Sequence, residues 1–143
     1  MGRIIKICGI TNKLDAVNAA RLGVDMLGFV FYEKSKRHVS SSLARDIINE
    51  LPPHIGKVGV FVNKSKDAVI SIAQDAGLNT LQFHGDETPE YCAYFKDKYK
   101  VLKAFRLKAG KDLEKINNYD TDFYLLWFGN EYETGNRPAA SDG

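Results

Sequence analysis

Residues 58–84 read VGVFVNKSKDAVISIAQDAGLNTLQFH, and this stretch decides the fold class. Two short apolar runs, Val58–Val62 and Thr80–His84, flank a segment whose apolar side chains recur at i, i+3, i+4 and i+7, on one helix face. Those four side chains are Val69, Ile72, Ala73 and Ala76. Ser65 is placed to cap the start of this helix and Gly77 to cap its end. A strand, a helix and a strand joined by such short connections predict a right-handed βαβ unit with parallel strands.

The same alternation runs along most of the chain. Six predicted strands are rich in Ile, Val, Leu and Phe, as is typical of strands buried on both faces: Ile4–Cys8, Asp25–Phe31, Val58–Val62, Thr80–His84, Val101–Phe105 and Phe123–Trp127. Further helical stripes lie between them, one of Leu43, Ile47 and Leu51 and another of Cys92, Phe95 and Tyr99. A shorter helix is predicted around Leu113 and Ile116, and Thr88 before Pro89 predicts a helix start. The sequence therefore predicts an α/β fold with a parallel sheet.

Composition and charge narrow the class of protein. The 143 residues include 20 Lys+Arg and 18 Asp+Glu, so the net charge of +2 gives no electrostatic reason to expect a nucleic acid or a membrane surface as partner. Two cysteines are too few for a disulfide scaffold and indicate a reducing compartment. No apolar run approaches the ~18 residues of a membrane span, and the N-terminus lacks a signal-peptide core. We therefore expect a cytoplasmic protein.

Polar residues inside the predicted strands favour a barrel over an open sheet. Lys6 and Cys8 share one strand parity, Gln82 and His84 share another, and Lys103 interrupts a third apolar run. In a (βα)8 barrel one face of each strand points into the lumen, where such side chains form the active site. We then expect Lys6 and Lys103 to face a common concave side. An open flavodoxin-like sheet, which suits the length, remains the alternative and brings each lysine to an edge.

Three residues at predicted strand ends are candidates for chemistry. Cys8 closes the first strand, Arg37 lies in the loop after the second, and His84 closes the fourth. Parallel sheets place reactive groups at the carboxyl ends of their strands, where a thiol or imidazole acts as a base and an arginine binds an anion. Each has an alternative: a small buried thiol, a solvated loop, and a histidine that orients backbone. Arg106, just past the fifth strand, is a weaker candidate of the same kind.

Other polar residues fit structural roles. Lys34 and Lys36 are expected in a solvated loop, and Cys92 is expected to pack on a helix face. Asp86 and Glu87 precede a helix, where the helix dipole favours acidic side chains. The sequence contains no metal-ligand spacing and no glycine-rich phosphate loop, so we expect no metal site.

Seven motifs in order resemble phosphoribosylanthranilate isomerase, and the resemblance extends over residues 3–126. They are KICGIT at 6–11, GFVF at 28–31, SKR at 35–37, VGVFVN at 58–63, LQFHGDE at 81–87, KAF at 103–105 and LL at 125–126. The resemblance implies a (βα)8 barrel of tryptophan biosynthesis. Such enzymes isomerise N-(5-phosphoribosyl)anthranilate, a phosphorylated small molecule, to the 1-deoxyribulose phosphate in a cofactor-free Amadori rearrangement. Cys8 matches the general base that removes the C2 proton, Arg37 a contact to the anthranilate side, and His84 an active-site position.

The sequence departs from the family after Leu126. The family has an aspartate at the place of Trp127, where it serves as general acid on the ribose ring oxygen, and then continues through a GGTG loop and two more βα units. We therefore expect a partial barrel domain over residues 1–127 and a flexible tail over 128–143. We also expect no activity from the chain by itself, and association with itself or with a complementing barrel fragment. A non-catalytic α/β fragment or binding module is the alternative function.

Overall fold

Six parallel strands follow one another across a single sheet in the order of the sequence. In the computed structural model, which describes residues 2–108 and 110–128, the strands are β1 (Lys6–Cys8), β2 (Met26–Val30), β3 (Gly56–Phe61), β4 (Thr80–Phe83), β5 (Lys100–Leu107) and β6 (Phe123–Phe128). Each strand is parallel to the next. The open flavodoxin-like alternative is wrong, because that sheet reverses its strand order at an internal switch point and this one does not.

Helices connect the strands, and polar side chains cap their first turns. They are α1 (Lys13–Arg21), α2 (Ser41–Ile48), α3 (Lys66–Ala76), α4 (Pro89–Ala93) and a 3₁₀ helix (Gly110–Asn118). The predicted N-caps are confirmed, since Ser65 and Thr88 accept hydrogen bonds from the backbone N–H groups of Ala68 and Tyr91. Gly77 ends α3 in the left-handed region with φ 84°, where a Cβ would be strained.

The two faces of the sheet carry different sets of side chains. Alternate residues of each strand point to opposite faces, and residues paired between neighbouring strands share a face. Leu27, Phe29, Phe61, Leu81 and Phe83 form one buried core with side chains of all four α-helices. The opposite, concave face carries the other parity, as expected for a barrel whose helices all lie outside the sheet. The described chain is thus an arc of a (βα)8 barrel with six of its strands.

Lys103 lies on the helix side, so the expectation that it shares the concave face with Lys6 is wrong. Its register partner on β4 is Phe83, a residue of the helix-side core. The Nζ of Lys103 donates to the backbone oxygens of Gly85 at 2.7 Å and Ala104 at 3.1 Å, and lies 3.4 Å from a carboxylate oxygen of Glu87. These acceptors let a lysine remain buried within an apolar layer.

Glu87 also differs from its predicted role, because it is buried and precedes the N-cap of α4. Its carboxylate accepts from the backbone N–H groups of Asn63 and Gly85, each at 2.8 Å. Tyr119 donates to its backbone oxygen at 2.7 Å. Glu87 therefore joins the loops after β3 and β4, together with Lys103 from β5, instead of stabilising a helix dipole.

Part of the predicted organisation lies beyond the described residues. The predicted tail of residues 128–143 falls outside them, apart from residue 128, which ends β6. No helix within residues 2–108 and 110–128 has the length and apolar character to cross a membrane.

Candidate active site

Cys8, Arg37 and His84 line one cavity of about 260 Å³ on the concave face. Cys8 is the last residue of β1, Arg37 lies in the loop after β2, and His84 directly follows β4. The three are far apart in sequence and meet because the carboxyl ends of parallel strands share one edge of the sheet. The fold thus brings together a thiol, a guanidinium and an imidazole that are remote from one another in the sequence.

The space around Cys8 depends on a glycine in the neighbouring strand. Gly28 on β2 is the register partner of Cys8. A Cβ added at Gly28 would lie 3.1 Å from the Sγ of Cys8 and 3.3 Å from the Nζ of Lys6. The thiol and the ammonium group therefore both occupy the space that a side chain at position 28 would need. The backbone N–H groups of Gly9 and Ile10 both donate to the Gly28 oxygen at 3.0 Å, which fixes the turn after Cys8.

Arg37 reaches back across the β2 loop to the turn after β1. Its Nη1 donates to the backbone oxygen of Cys8 at 3.4 Å. A Cβ at Gly9, whose φ is +88°, would fall 2.4 Å from that nitrogen, so a larger residue here would strain the backbone and displace the guanidinium. An ion pair of 2.7 Å between Glu33 and Lys64 ties the same loop to the loop after β3, and its hydrogen bond lowers the pKa of Glu33.

His84 is half-buried between two side chains of the cavity. Its Nδ1 lies 3.3 Å from the amide nitrogen of Gln82. Its ring centroid is 5.9 Å from that of Trp127, with the planes tilted by 35°. The indole therefore stands beside the imidazole at the carboxyl ends of the strands.

Lys6, Gln82 and Trp127 also line the cavity, although the sequence did not identify them as site residues. The sequence did contain a signal for Lys6 and Gln82. Each lies two residues before a candidate residue, Cys8 and His84 respectively, and therefore points to the same face of the sheet. Trp127 shares a face with its register partner Arg106 on β5.

A larger cavity of about 660 Å³ adjoins the first and is also lined by His84 and Trp127. Arg106 lines this second cavity and not the first. Within residues 2–108 and 110–128, no three or more His, Cys, Asp or Glu side chains are grouped to hold a metal ion.

Lys34 and Lys36 are exposed and line neither cavity, whereas Asp86 lines the larger one. Cys92 packs in the helix-side core with 1% of its surface exposed, as predicted. Burial raises the pKa of the Cys92 thiol to about 12, so it stays protonated and unreactive at neutral pH.

Comparison with known proteins identifies the family. Residues 5–136 match the family model described as N-(5'-phosphoribosyl)anthranilate (PRA) isomerase. The enzyme of that name from Thermotoga neapolitana is 48% identical over 115 residues, which cover 80% of this chain and 56% of the relative. The one from Citrifermentans bemidjiense is 44% identical over 122 residues, covering 85% and 58%. The chain thus spans just over half the length of the curated relatives it matches.

Solved structures agree with the arc described above. Phosphoribosyl anthranilate isomerase from Thermotoga maritima superimposes with a TM-score of 0.86 at 40% identity, covering 92% of this chain and 64% of that one. A structure of the isomerase in complex with reduced 1-(o-carboxyphenylamino)-1-deoxyribulose 5-phosphate gives a TM-score of 0.84 at 41% identity, covering 90% and 66%. With the family match, the sheet order and the strand-end cavity in agreement, this chain belongs to the phosphoribosylanthranilate isomerase family.

Proposed function

We propose that this chain carries the proton-abstracting and anthranilate-binding part of an isomerase site. The reaction is the conversion of N-(5-phosphoribosyl)anthranilate to 1-(2-carboxyphenylamino)-1-deoxyribulose 5-phosphate. The observation that supports it is the meeting of Cys8, Arg37 and His84 in one cavity of about 260 Å³. The reaction needs a base, an anion-binding group and a neutral polar contact, and these three side chains provide them without a cofactor.

Cys8 is proposed as the general base. Its thiolate takes the proton from C2 of the open-chain iminium form of the substrate, leaving the electron pair in a C1–C2 double bond. The π electrons of the C1–N bond return to nitrogen, and protonation at C1 with loss of the C2 hydroxyl proton then gives the ketone of the product. Cys8 is half-buried and lines the cavity, whereas Cys92 is 1% exposed in the helix-side core. The end of a strand and the buried face of a helix thus separate the proposed reactive thiol from the structural one.

Arg37 is proposed to bind the anthranilate carboxylate, and His84 to contact the substrate. The guanidinium of Arg37 is a planar fork that matches a carboxylate, and it lies against the turn that follows Cys8. A carboxylate held there places the anilino nitrogen and C1 of the ribose on the side of Cys8.

Trp127 is the reason why we expect the chain to be inactive by itself. Ring opening needs a proton for the ribose ring oxygen, and Trp127 stands where the family has its acid. An indole N–H is a hydrogen-bond donor but does not release its proton at neutral pH. General acid catalysis typically contributes ~10²–10⁴-fold in rate. Turnover by the unaltered chain is therefore expected to remain near that of a Cys8→Ser variant.

Ligand binding tests the proposal without requiring turnover. We expect calorimetry to show that the chain binds the reduced product analogue, and that Arg37→Met weakens this binding by about 10- to 100-fold. The physical reason is the loss of a charge-assisted hydrogen bond, worth about 1.5–3 kcal/mol. The matched control is Lys36→Met, which removes an exposed cation from the same loop but leaves the cavity lining unchanged.

Two results would count against the proposal. One is equal weakening by Arg37→Met and Lys36→Met, which would mean that the loop acts only through its overall charge. The other is an absence of binding by the unaltered chain. That result would favour the alternative function, a non-catalytic α/β module.

The edges of the sheet support a proposal about partners. Among the described residues, β1 pairs only with β2 and β6 only with β5, which leaves backbone N–H and C=O groups open on both edges. Ile7 on β1 and Leu126 on β6 are 39% and 47% exposed, and both belong to the parity that faces the helices. We propose that a second copy of the chain covers these edges; a complementing barrel fragment would use the same surfaces.

We also propose the cytoplasm as the compartment, because a free Cys8 thiol suits reducing conditions.

Sedimentation velocity tests this association. We expect dimers or larger species at micromolar concentration, and a shift toward monomer in Leu126→Lys, since charge on an edge strand opposes pairing. Leu22→Lys is the control, because Leu22 is 84% exposed at the end of α1 and belongs to neither edge strand. A single monomeric species for the unaltered chain would exclude the proposed self-association.

A further inference from the structure

Gln82 is a buried polar side chain that the proposed reaction does not use. It lies on β4 with 2% of its surface exposed, and its register partners on the two neighbouring strands are Val60 and Leu102. A primary amide among apolar side chains costs folding free energy unless its donors and its acceptor are both satisfied. A residue retained at such a cost calls for an explanation other than stability.

The hydrogen bonding of this amide is one-sided. Its nitrogen lies 3.3 Å from Nδ1 of His84. Its oxygen is buried and has no hydrogen-bond donor among the residues that the structure describes. A glutamine with a purely structural role would also have a hydrogen-bond donor for its amide oxygen. The contact with His84 therefore accounts for the position of Gln82.

This contact selects one form of the histidine. The amide N–H of Gln82 donates, so Nδ1 of His84 must accept and the ring proton resides on Nε2. The imidazole is neutral in this form and presents an Nε2–H donor. The neighbouring indole of Trp127, at 5.9 Å between ring centroids, restricts rotation of the ring from the other side.

We infer that Gln82 is a positioning residue that holds His84 in the Nε2–H tautomer, so that His84 donates a hydrogen bond to an oxygen of the bound substrate. The inference rests on the proposed function in one respect, namely that His84 contacts the substrate. A neutral donor in this place does not compete with Cys8 for the C2 proton. Its natural acceptor is a hydroxyl or carboxylate oxygen in the cavity that both residues line.

Long-range ¹H–¹⁵N spectra of the histidine rings test the inference without any turnover. The chain has three histidines, so the His84 signals are assigned by comparison with His84→Gln. We expect the unaltered chain to show His84 with Nε2 protonated and Nδ1 bare. In Gln82→Glu the carboxylate can only accept, so we expect the proton to move to Nδ1. In Gln82→Leu, which removes the donor, we expect a mixture of the two tautomers.

Stability measurements separate a positioning role from a packing role. We expect Gln82→Leu to keep or raise the urea midpoint of the chain, because it removes an amide oxygen that lacks a donor. Thr80→Val is the matched control on the same strand, since the buried Thr80 hydroxyl donates to Asn79 Oδ1 at 3.0 Å and its loss should lower the midpoint.

An unaltered chain with the proton on Nδ1, or spectra of His84 that are unchanged in both Gln82 variants, would overturn the inference. A lowered midpoint in Gln82→Leu with an unchanged tautomer would make Gln82 a packing residue. If the Gln82→Leu variant does not fold, the spectra of Gln82→Glu test by themselves whether residue 82 determines the tautomer of His84. Failure of the chain to bind the product analogue would count against the proposed function alone, since the tautomer is measured without ligand.

Discussion

Replacing Trp127 by aspartate is expected to raise the rate at which the chain isomerises N-(5-phosphoribosyl)anthranilate by about 10²- to 10⁴-fold, the range typical of general acid catalysis. Trp127 lines the same cavity as Cys8, and its ring stands beside that of His84. In the proposed reaction, a carboxyl group at this position would supply the proton that the ribose ring oxygen needs for opening. A partly apolar cavity also favours the protonated form of a carboxyl group over the charged one.

Steady-state turnover of three variants tests this expectation. Trp127→Asn is the matched control, because asparagine has the size of aspartate but no proton to release. The double variant Trp127→Asp, Cys8→Ser should lose the gain, since the proposed step after ring opening uses the Cys8 thiolate. An equal gain in the asparagine variant would assign the effect to the smaller side chain. If the higher turnover persists in the variant that lacks Cys8, then Cys8 is not the general base.

Replacing Lys103 by methionine is expected to lower the free energy of unfolding by about 3–5 kcal/mol, the cost of leaving a buried charge without its partner. The side chains of Lys103 and Glu87 are 3% and 2% exposed, and their charged atoms lie 3.4 Å apart. Methionine fills a similar volume but donates to none of the acceptors around Lys103. A loss of this size is a large part of the 5–15 kcal/mol that stabilises a typical domain.

Urea unfolding of a double-variant cycle checks this result. We expect Lys103→Met combined with Glu87→Gln to be more stable than Lys103→Met alone, because the second change removes the uncompensated charge. Asp120→Asn is the matched control: Asp120 pairs with Lys96 at the same 3.4 Å but is 93% exposed, so little change is expected. Similar losses for the buried and the exposed pair would contradict the assignment, and so would strict additivity within the cycle.

Local features of the fold could be predicted from the sequence because they depend on neighbours along the chain. Ser65 and Thr88 cap helices as predicted, since an N-cap needs only the side chain and the N–H groups two or three residues later. A helix is present around Leu113 as predicted, but it is a 3₁₀ helix of nine residues, which is not shorter than α2 or α4. Strand positions were also predicted, although β1 is shorter and β5 longer than expected.

The roles of Lys103 and Glu87 could not be predicted. The sequence showed that Lys103 interrupts an apolar strand, but it did not show which face of the sheet the lysine occupies. The presence of Glu87 before a helix suggested an interaction with the helix dipole. Their pairing depends on how the loops after β3 and β4 fold against β5, which is a matter of tertiary contacts between residues remote in sequence.

By itself the sequence determined the succession of strands and helices, the motifs of the family, and the placement of Cys8, Arg37 and His84 at strand ends. These follow from short-range periodicity and from side-chain chemistry, which the order of residues contains directly. Only the tertiary structure decided that the six described strands lie in sequence order with the four α-helices packed on one face, that Gly28 leaves room beside the thiol, and that Gln82 contacts His84. Those features arise between strands, because hydrogen-bond register and curvature determine which distant side chains share a cavity.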